Sequence, residues 1–112
     1  MFTYNAKVID VYDGDTITVL ADLGFHTTVK LKLRLFGINT PELKGTSRAA
    51  GLVARDRVNG LVMGKDIIIK TDRDRQEKFG RWLAEIYLPE NQDKSINTLL
   101  IEEGLAVPFM TE

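Results

Sequence analysis

No cysteine occurs among the 112 residues, so disulfides, thiolate metal sites and a cysteine nucleophile are all excluded. Histidine occurs once, as His26, which rules out chemistry built on several imidazole ligands or on a histidine–metal pair. No apolar run reaches membrane-spanning length. The start, Met-Phe-Thr-Tyr-Asn-Ala-Lys, lacks the basic-then-apolar pattern of a secretory signal. Excess positive charge is missing too: a net charge of −1 argues against strong non-specific attraction to polyanions. The length suits one compact domain, residues 1–112, able to bury a core without staples. The expectation is a soluble monomer that makes no use of membranes, with secreted and cytoplasmic locations both open.

The charge is unevenly spread. Residues 1–29 carry a net −3, residues 30–84 a net +7 and residues 85–112 a net −5. A near-neutral chain arranged this way can still present a basic face.

Two β-rich runs, Tyr4–Val11 and Thr16–Ala21, flank Asp13-Gly14, a hairpin signal because both residues tolerate positive φ. A long strand is predicted from His26 to Phe36. In it Val29, Leu31, Leu33 and Leu35 alternate with Lys30, Lys32 and Arg34, which turns one face to the core and a basic row outward. Gly37–Pro41 breaks it. The period then changes: Ala50, Val53, Ala54, Arg57, Val58, Leu61 and Val62 fall at helical spacing, with Ser47 as cap and Gly64 as terminator. Asp66–Thr71 and Trp82–Leu88 read as strands around a charged loop, Asp72–Gly80. A short helix over Ser95–Glu103 is closed by Gly104. Five strands, one helix after the third and a short C-terminal helix predict a β-barrel with helices, of the five-stranded OB type.

Three segments carry chemistry-bearing side chains: Asp13-Gly14-Asp15-Thr16, Arg34 through Glu42, and Lys78-Phe79-Gly80-Arg81. Taken singly they are ordinary: an Asp-Gly turn, a Pro-Glu helix start, a charged hairpin. Together they run in a fixed order. Asp-Gly-Asp-Thr is followed by Arg34 with Asn39-Thr40-Pro41-Glu42, then a helix, then Phe79-Gly80-Arg81 with Leu83-Ala84, then Gly104-Leu105-Ala106.

In this order and spacing the chain resembles the staphylococcal nuclease, or thermonuclease-like, family along nearly its whole length. The resemblance implies an OB-type barrel and Ca²⁺-dependent hydrolysis of DNA and RNA, with unpaired strands reaching a narrow site more easily. It implies one Ca²⁺ ion, with other divalent cations as substitutes. Asp15, the Asn39 side-chain oxygen and the Thr40 carbonyl would be its ligands, oxygen donors suited to a hard cation. It implies that Glu42 positions the attacking water and takes its proton. Arg34 and Arg81 would hold phosphate oxygens and stabilise the five-coordinate transition state. Lys78, Phe79 and Phe109 would bind substrate, and the products would carry 3′-phosphates.

Four features depart from the family pattern. Asn39 stands in place of an aspartate, so one negative charge is lost and a higher Ca²⁺ requirement is expected. Phe79 stands in place of a tyrosine and keeps a stacking surface without the hydroxyl. Leu43–Arg48 is shorter than the family's mobile loop. The chain stops at Glu112, before the family's long C-terminal helix, which implies lower stability or an excerpt from a longer protein. The alternative expectation is a catalytically weak or inactive OB-fold module that binds nucleic acid or protein. Against it, Asp15, Arg34, Glu42 and Arg81 are all present.

Overall fold

Apolar alternation translates directly into strands in a computed structural model, which describes residues 2–72 and 74–109. The strands are β1 (Phe2–Asp13), β2 (Thr16–Asp22), β3 (Thr28–Leu35), β4 (Ile38–Asn39), β5 (Asp66–Thr71), β6 (Trp82–Tyr87) and β7 (Val107–Pro108). A single 3₁₀ turn at Gly45–Ser47 leads into α1 (Arg48–Val62), and α2 is Ile96–Glu102.

Five of the strands close into a barrel in the order β1-β2-β3-β6-β5. All neighbours are antiparallel except β3 and β6, which run parallel from Leu33 opposite Trp82 to Leu35 opposite Ala84. This is the OB-type architecture that the strand pattern implies. β1 serves two neighbours: its first half pairs with β5, and Asn5–Asp13 pairs with β2. Register shifts near Val8–Asp10 and Val11–Asp13 bend it enough to do both, as bulges sharpen local twist.

Inward-facing Val8, Ile17, Val19, Leu33, Leu35, Ile67, Ile69 and Ile86 fill the barrel, each essentially inaccessible. Burying such a side chain contributes about 1.5–3 kcal/mol. α1 adds Ala54, Val58 and Val62, and α2 adds Ile96 and Leu100. No helix among the described residues is long and apolar enough to cross a membrane.

Several local expectations are corrected. The β1–β2 turn residues are Gly14 and Asp15, one position later than Asp13-Gly14, and none of the three has positive φ. Gly14 is required for another reason. A Cβ there would lie 2.8 Å from Thr40 Cγ2 and 2.9 Å from Ala54 Cβ. Positive φ falls instead on Gly24, Phe25 and His26 in the next hairpin, so β3 begins at Thr28 and His26 is an exposed turn residue.

Ser47 does not cap α1. Its hydroxyl donates to the carbonyls of Glu42 and Lys44, and Ala50 and Val53 face solvent while Gly51 is buried. Gly51 lets the helix lie against the Pro41-Glu42 backbone, since a Cβ would come within 2.6 Å of the Glu42 carbonyl oxygen. The Gly37–Pro41 segment does end β3, but it is not only a break. β4 within it pairs with β7 as a small ribbon, and the Phe109 N–H donates to the Gly37 carbonyl at 2.9 Å.

Candidate active site

The tight β1–β2 turn places two carboxylates two residues apart. The Asp15 N–H donates to Asp13 Oδ1 at 3.0 Å. Asp15 itself is buried, its Oδ2 accepting the Thr40 N–H at 3.0 Å and its Oδ1 the Thr16 hydroxyl at 3.3 Å. Burial first, and then the hydrogen-bonding contact with Asp15 and its charge, push the Asp13 carboxyl up to about 6. A group held this far above the ordinary carboxylate range marks a spot where added positive charge is welcome.

Arg34 supplies some of that charge. It lies on the outer face of β3, opposite Thr16 in the β2–β3 register, yet it is buried. Its Nη1 sits 3.3 Å from Asp15 Oδ2 and donates to the Leu35 carbonyl at 3.2 Å, while Nη2 donates to Asn39 Oδ1 at 3.2 Å. The guanidinium carbon stands 5.8 Å from the centre of the Phe109 ring, within cation–π range. The β4–β7 ribbon is what brings both Asn39 and Phe109 to this arginine.

Arg81 arrives from the other flank, at the end of the loop before β6. Its Nη1 donates to Thr16 Oγ1 at 3.0 Å, so both arginines border the same threonine. The rest of its fork is held by Glu77: Nε to Oε1 at 3.1 Å, Nη2 to Oε2 at 3.1 Å, and the backbone N–H to Oε1 at 2.9 Å. Glu77 pairs there at a pKa below its ordinary value, chiefly through the Arg81 hydrogen bonds. Phe79, 72 % exposed, has Arg81 at 5.7 Å and Lys78 at 5.1 Å from its ring centre.

The structure therefore brings together Asp15, Arg34, Asn39, Thr40 and Phe109, and sets Arg81, Phe79 and Lys78 alongside. It does not bring Glu42 into contact with them. The Glu42 side chain is 70 % exposed, and its ion-pair partner is Lys44 at 3.9 Å. Glu77, Asp13 and Thr16 escaped the sequence reading as site residues. Glu77 was one acid among interleaved charges, and only its i to i+4 placement before Arg81 across a turn hinted at the pairing.

Any cation held here would meet oxygen donors only: Asp15, Asp13, Asn39 and Thr40. Thr40 Oγ1 is buried without a hydrogen-bond partner, an unusual state for a hydroxyl. Among the described residues no group of three or more His, Cys, Asp or Glu side chains is close enough to share a metal, so the anionic charge available is small.

A family model described as staphylococcal nuclease homologue matches residues 32–112. Thermonuclease from Staphylococcus hyicus is 31 % identical over 103 residues, covering 89 % of this chain and 56 % of the relative. Endonuclease YncB from Bacillus subtilis (strain 168) is 36 % identical over 106 residues, covering 91 % and 46 %. The SPbeta prophage-derived endonuclease YokF of the same strain is 37 % identical over 98 residues, covering 84 % and 30 %. The chain thus spans about half the length, or less, of the relatives it matches.

Proposed function

Because the chain belongs to the staphylococcal nuclease family, we propose that it is a Ca²⁺-dependent nuclease that hydrolyses phosphodiesters of DNA or RNA, favouring unpaired strands. One observation carries this reading: Arg34 and Arg81, each backed by a carboxylate and an aromatic ring, converge on Thr16 beside the buried Asp15. Two fixed guanidiniums bordering an oxygen-lined niche suit a phosphate group.

The donor set fits a hard cation. Asp15 would hold it, with the Asn39 amide oxygen and Thr40, whose unpartnered buried hydroxyl supports a polar occupant nearby. Bound there, the ion would neutralise phosphate charge and polarise the scissile bond. One ion suffices for the donors present, and other divalent cations would compete for it.

The protein's own groups divide the remaining work. Arg34, held by Asp15 and Asn39, presents a preorganised donor edge to the non-bridging oxygens, where charge grows as the phosphorus becomes five-coordinate. Arg81 does the same with Nη1, while Glu77 fixes the rest of its fork. Glu42 accepts the proton of the attacking water; its carboxylate must leave only a weak surface contact with Lys44 to do so. Arginine stays protonated at any working pH, so the leaving 5′ oxygen takes its proton from solvent. The products are a 3′-phosphate and a 5′-hydroxyl. Lys78, Phe79 and Phe109 flank the site as contacts for substrate.

The test is hydrolysis of denatured DNA in millimolar Ca²⁺ beside an EDTA control and the Glu42→Ala protein. Metal-dependent cleavage that falls by about 10²–10⁴-fold in the variant is expected. Absence of cleavage by folded protein in Ca²⁺, Mg²⁺ and Mn²⁺ alike would favour the alternative, a binding module of the same fold.

A further inference from the structure

A groove of about 730 Å³ opens on the outer face of the barrel and adjoins the proposed site, sharing Thr16, Phe79 and Arg81 with it. Asp10 and Tyr12 of β1 form one side. Thr16 and Thr18 of β2 lie along the middle, Lys30 and Lys32 of β3 lie beyond, and Phe79 and Arg81 of the 76–82 hairpin bound it. Of these, only Phe79 and Arg81 have a role in the hydrolysis described above.

Two features of this groove point the same way. Lys30 and Lys32 continue the row that ends in Arg34, at every second position of one strand. Successive cations are therefore about 6.6 Å apart, a step on the scale of one nucleotide in an extended strand. Tyr12 is 65 % exposed and Phe79 is 72 % exposed, so two large rings present apolar surface to water at the rims, Phe79 with Lys78 and Arg81 beside it. Aromatic surface left in water beside a basic row suits unpaired bases, which stack regardless of sequence. The cations point outward because their neighbours Val29, Leu31 and Leu33 point in, so the row follows from the barrel's alternation.

We infer that this groove is a track for single-stranded nucleic acid. In it Lys32 and then Lys30 contact successive backbone phosphates leading away from the one held at Arg34, and Tyr12 stacks on a base. The assignment of Arg34 as the origin of the track rests on the nuclease reading; the track itself does not. Asp10 stands opposite Lys32 across Thr18 and opposes a phosphate there, which makes it a useful probe.

Binding measured in EDTA separates the track from catalysis. The probe is a fluorescently labelled twelve-nucleotide oligodeoxythymidine, followed by anisotropy across a salt series. For wild type, log K should fall linearly with log salt. Lys30→Gln/Lys32→Gln should reduce the slope by about 1.4, two contacts at ~0.7 each for a single strand. The charge-matched Lys65→Gln/Lys94→Gln protein should keep the wild-type slope. Tyr12→Ser should weaken binding by about 5- to 150-fold, the range for losing one stacked base. Asp10→Asn should tighten it, a gain that damage to the fold would not produce.

A wild-type slope in the Lys30/Lys32 variant, an equal loss in the control, or equal affinity for a duplex of the same length would overturn the track. Salt slopes that behave as expected in a protein that cuts nothing would instead sink the nuclease reading and leave the track standing.

Discussion

Asn39 shows how much a single atom decides at the residue scale. Its Oδ1 accepts from Arg34, and the same oxygen is a proposed metal ligand, so it serves two positively charged partners without bearing charge. Restoring a carboxylate with Asn39→Asp should lower the Ca²⁺ concentration for half-maximal activity by roughly tenfold, because affinity in such sites follows ligand charge. A Ca²⁺ titration of cleavage reads this directly, and an unchanged midpoint would remove residue 39 from the ligand set.

Most of this residue-level picture was legible beforehand. Asp15, Arg34, Asn39 and Arg81 stand out because a spaced motif names them one by one. Glu77 lies outside the motif segments, and Asp13, though within the first, reads there as a turn residue. Their importance comes from hydrogen bonds to Arg81 and Asp15, and a pairing across a turn leaves almost no mark on composition or period. Glu42 is the reverse case, conspicuous in sequence and solvent-facing in the fold.

Among the elements, the hairpin that spans residues 76–82 is the one most dependent on charge. Glu77 accepts from the backbone N–H groups of Phe79 and Arg81 as well as from the Arg81 guanidinium, so one carboxylate holds both the turn and the arginine that follows it. Its pKa lies below the ordinary value of 4.5. The stability it contributes is therefore complete above that value and is lost as pH falls through the lower, folded one. Glu77→Gln should lose this contribution at neutral pH and show a shallower acid limb. Thermal unfolding of both proteins at pH 7 and pH 3 checks it: the gap in Tm should narrow at the lower pH, and a constant gap would contradict the role given to this carboxylate.

Elements with a period were readable: β5 matches its expected span, and the outward cations of β3 follow from alternation. The β4–β7 ribbon was not, because two-residue strands are too short to have a period. α1 was placed correctly in the chain but its buried face was misjudged at Ala50 and Val53. Gly51 faces inward, and a glycine gives a hydrophobic pattern nothing to register.

At the scale of the whole molecule, closure of the barrel depends on the one parallel pairing, β3 with β6, and on a buried polar residue beside it. Asn97 of α2 donates to the carbonyls of Phe36 and Ala84 and accepts the Ile86 N–H. Three parts of the chain meet in this one amide. Asn97→Ala leaves the buried Ile86 N–H and the part-buried Phe36 carbonyl without their partner, at about 1–3 kcal/mol each at most. Urea unfolding should show a loss of about 2–4 kcal/mol with an unchanged slope, while a loss below about 1 kcal/mol would mean that water replaces the amide. An OB-type barrel was expected from strand count and helix position. Its strand order was not, since pairing partners far apart in sequence leave no local signature.

That strand order has a consequence for when the chain can act. Thr16 and Arg81 are 65 positions apart and meet through a single hydrogen bond, and Arg34 gains its neighbour Leu83 only through the parallel pairing. No contiguous stretch of the chain holds Asp15, Arg34 and Arg81 together; only the closed fold makes them neighbours. On the nuclease reading proposed above, cleavage should therefore appear only as the barrel is completed, in step with the folded signal during refolding.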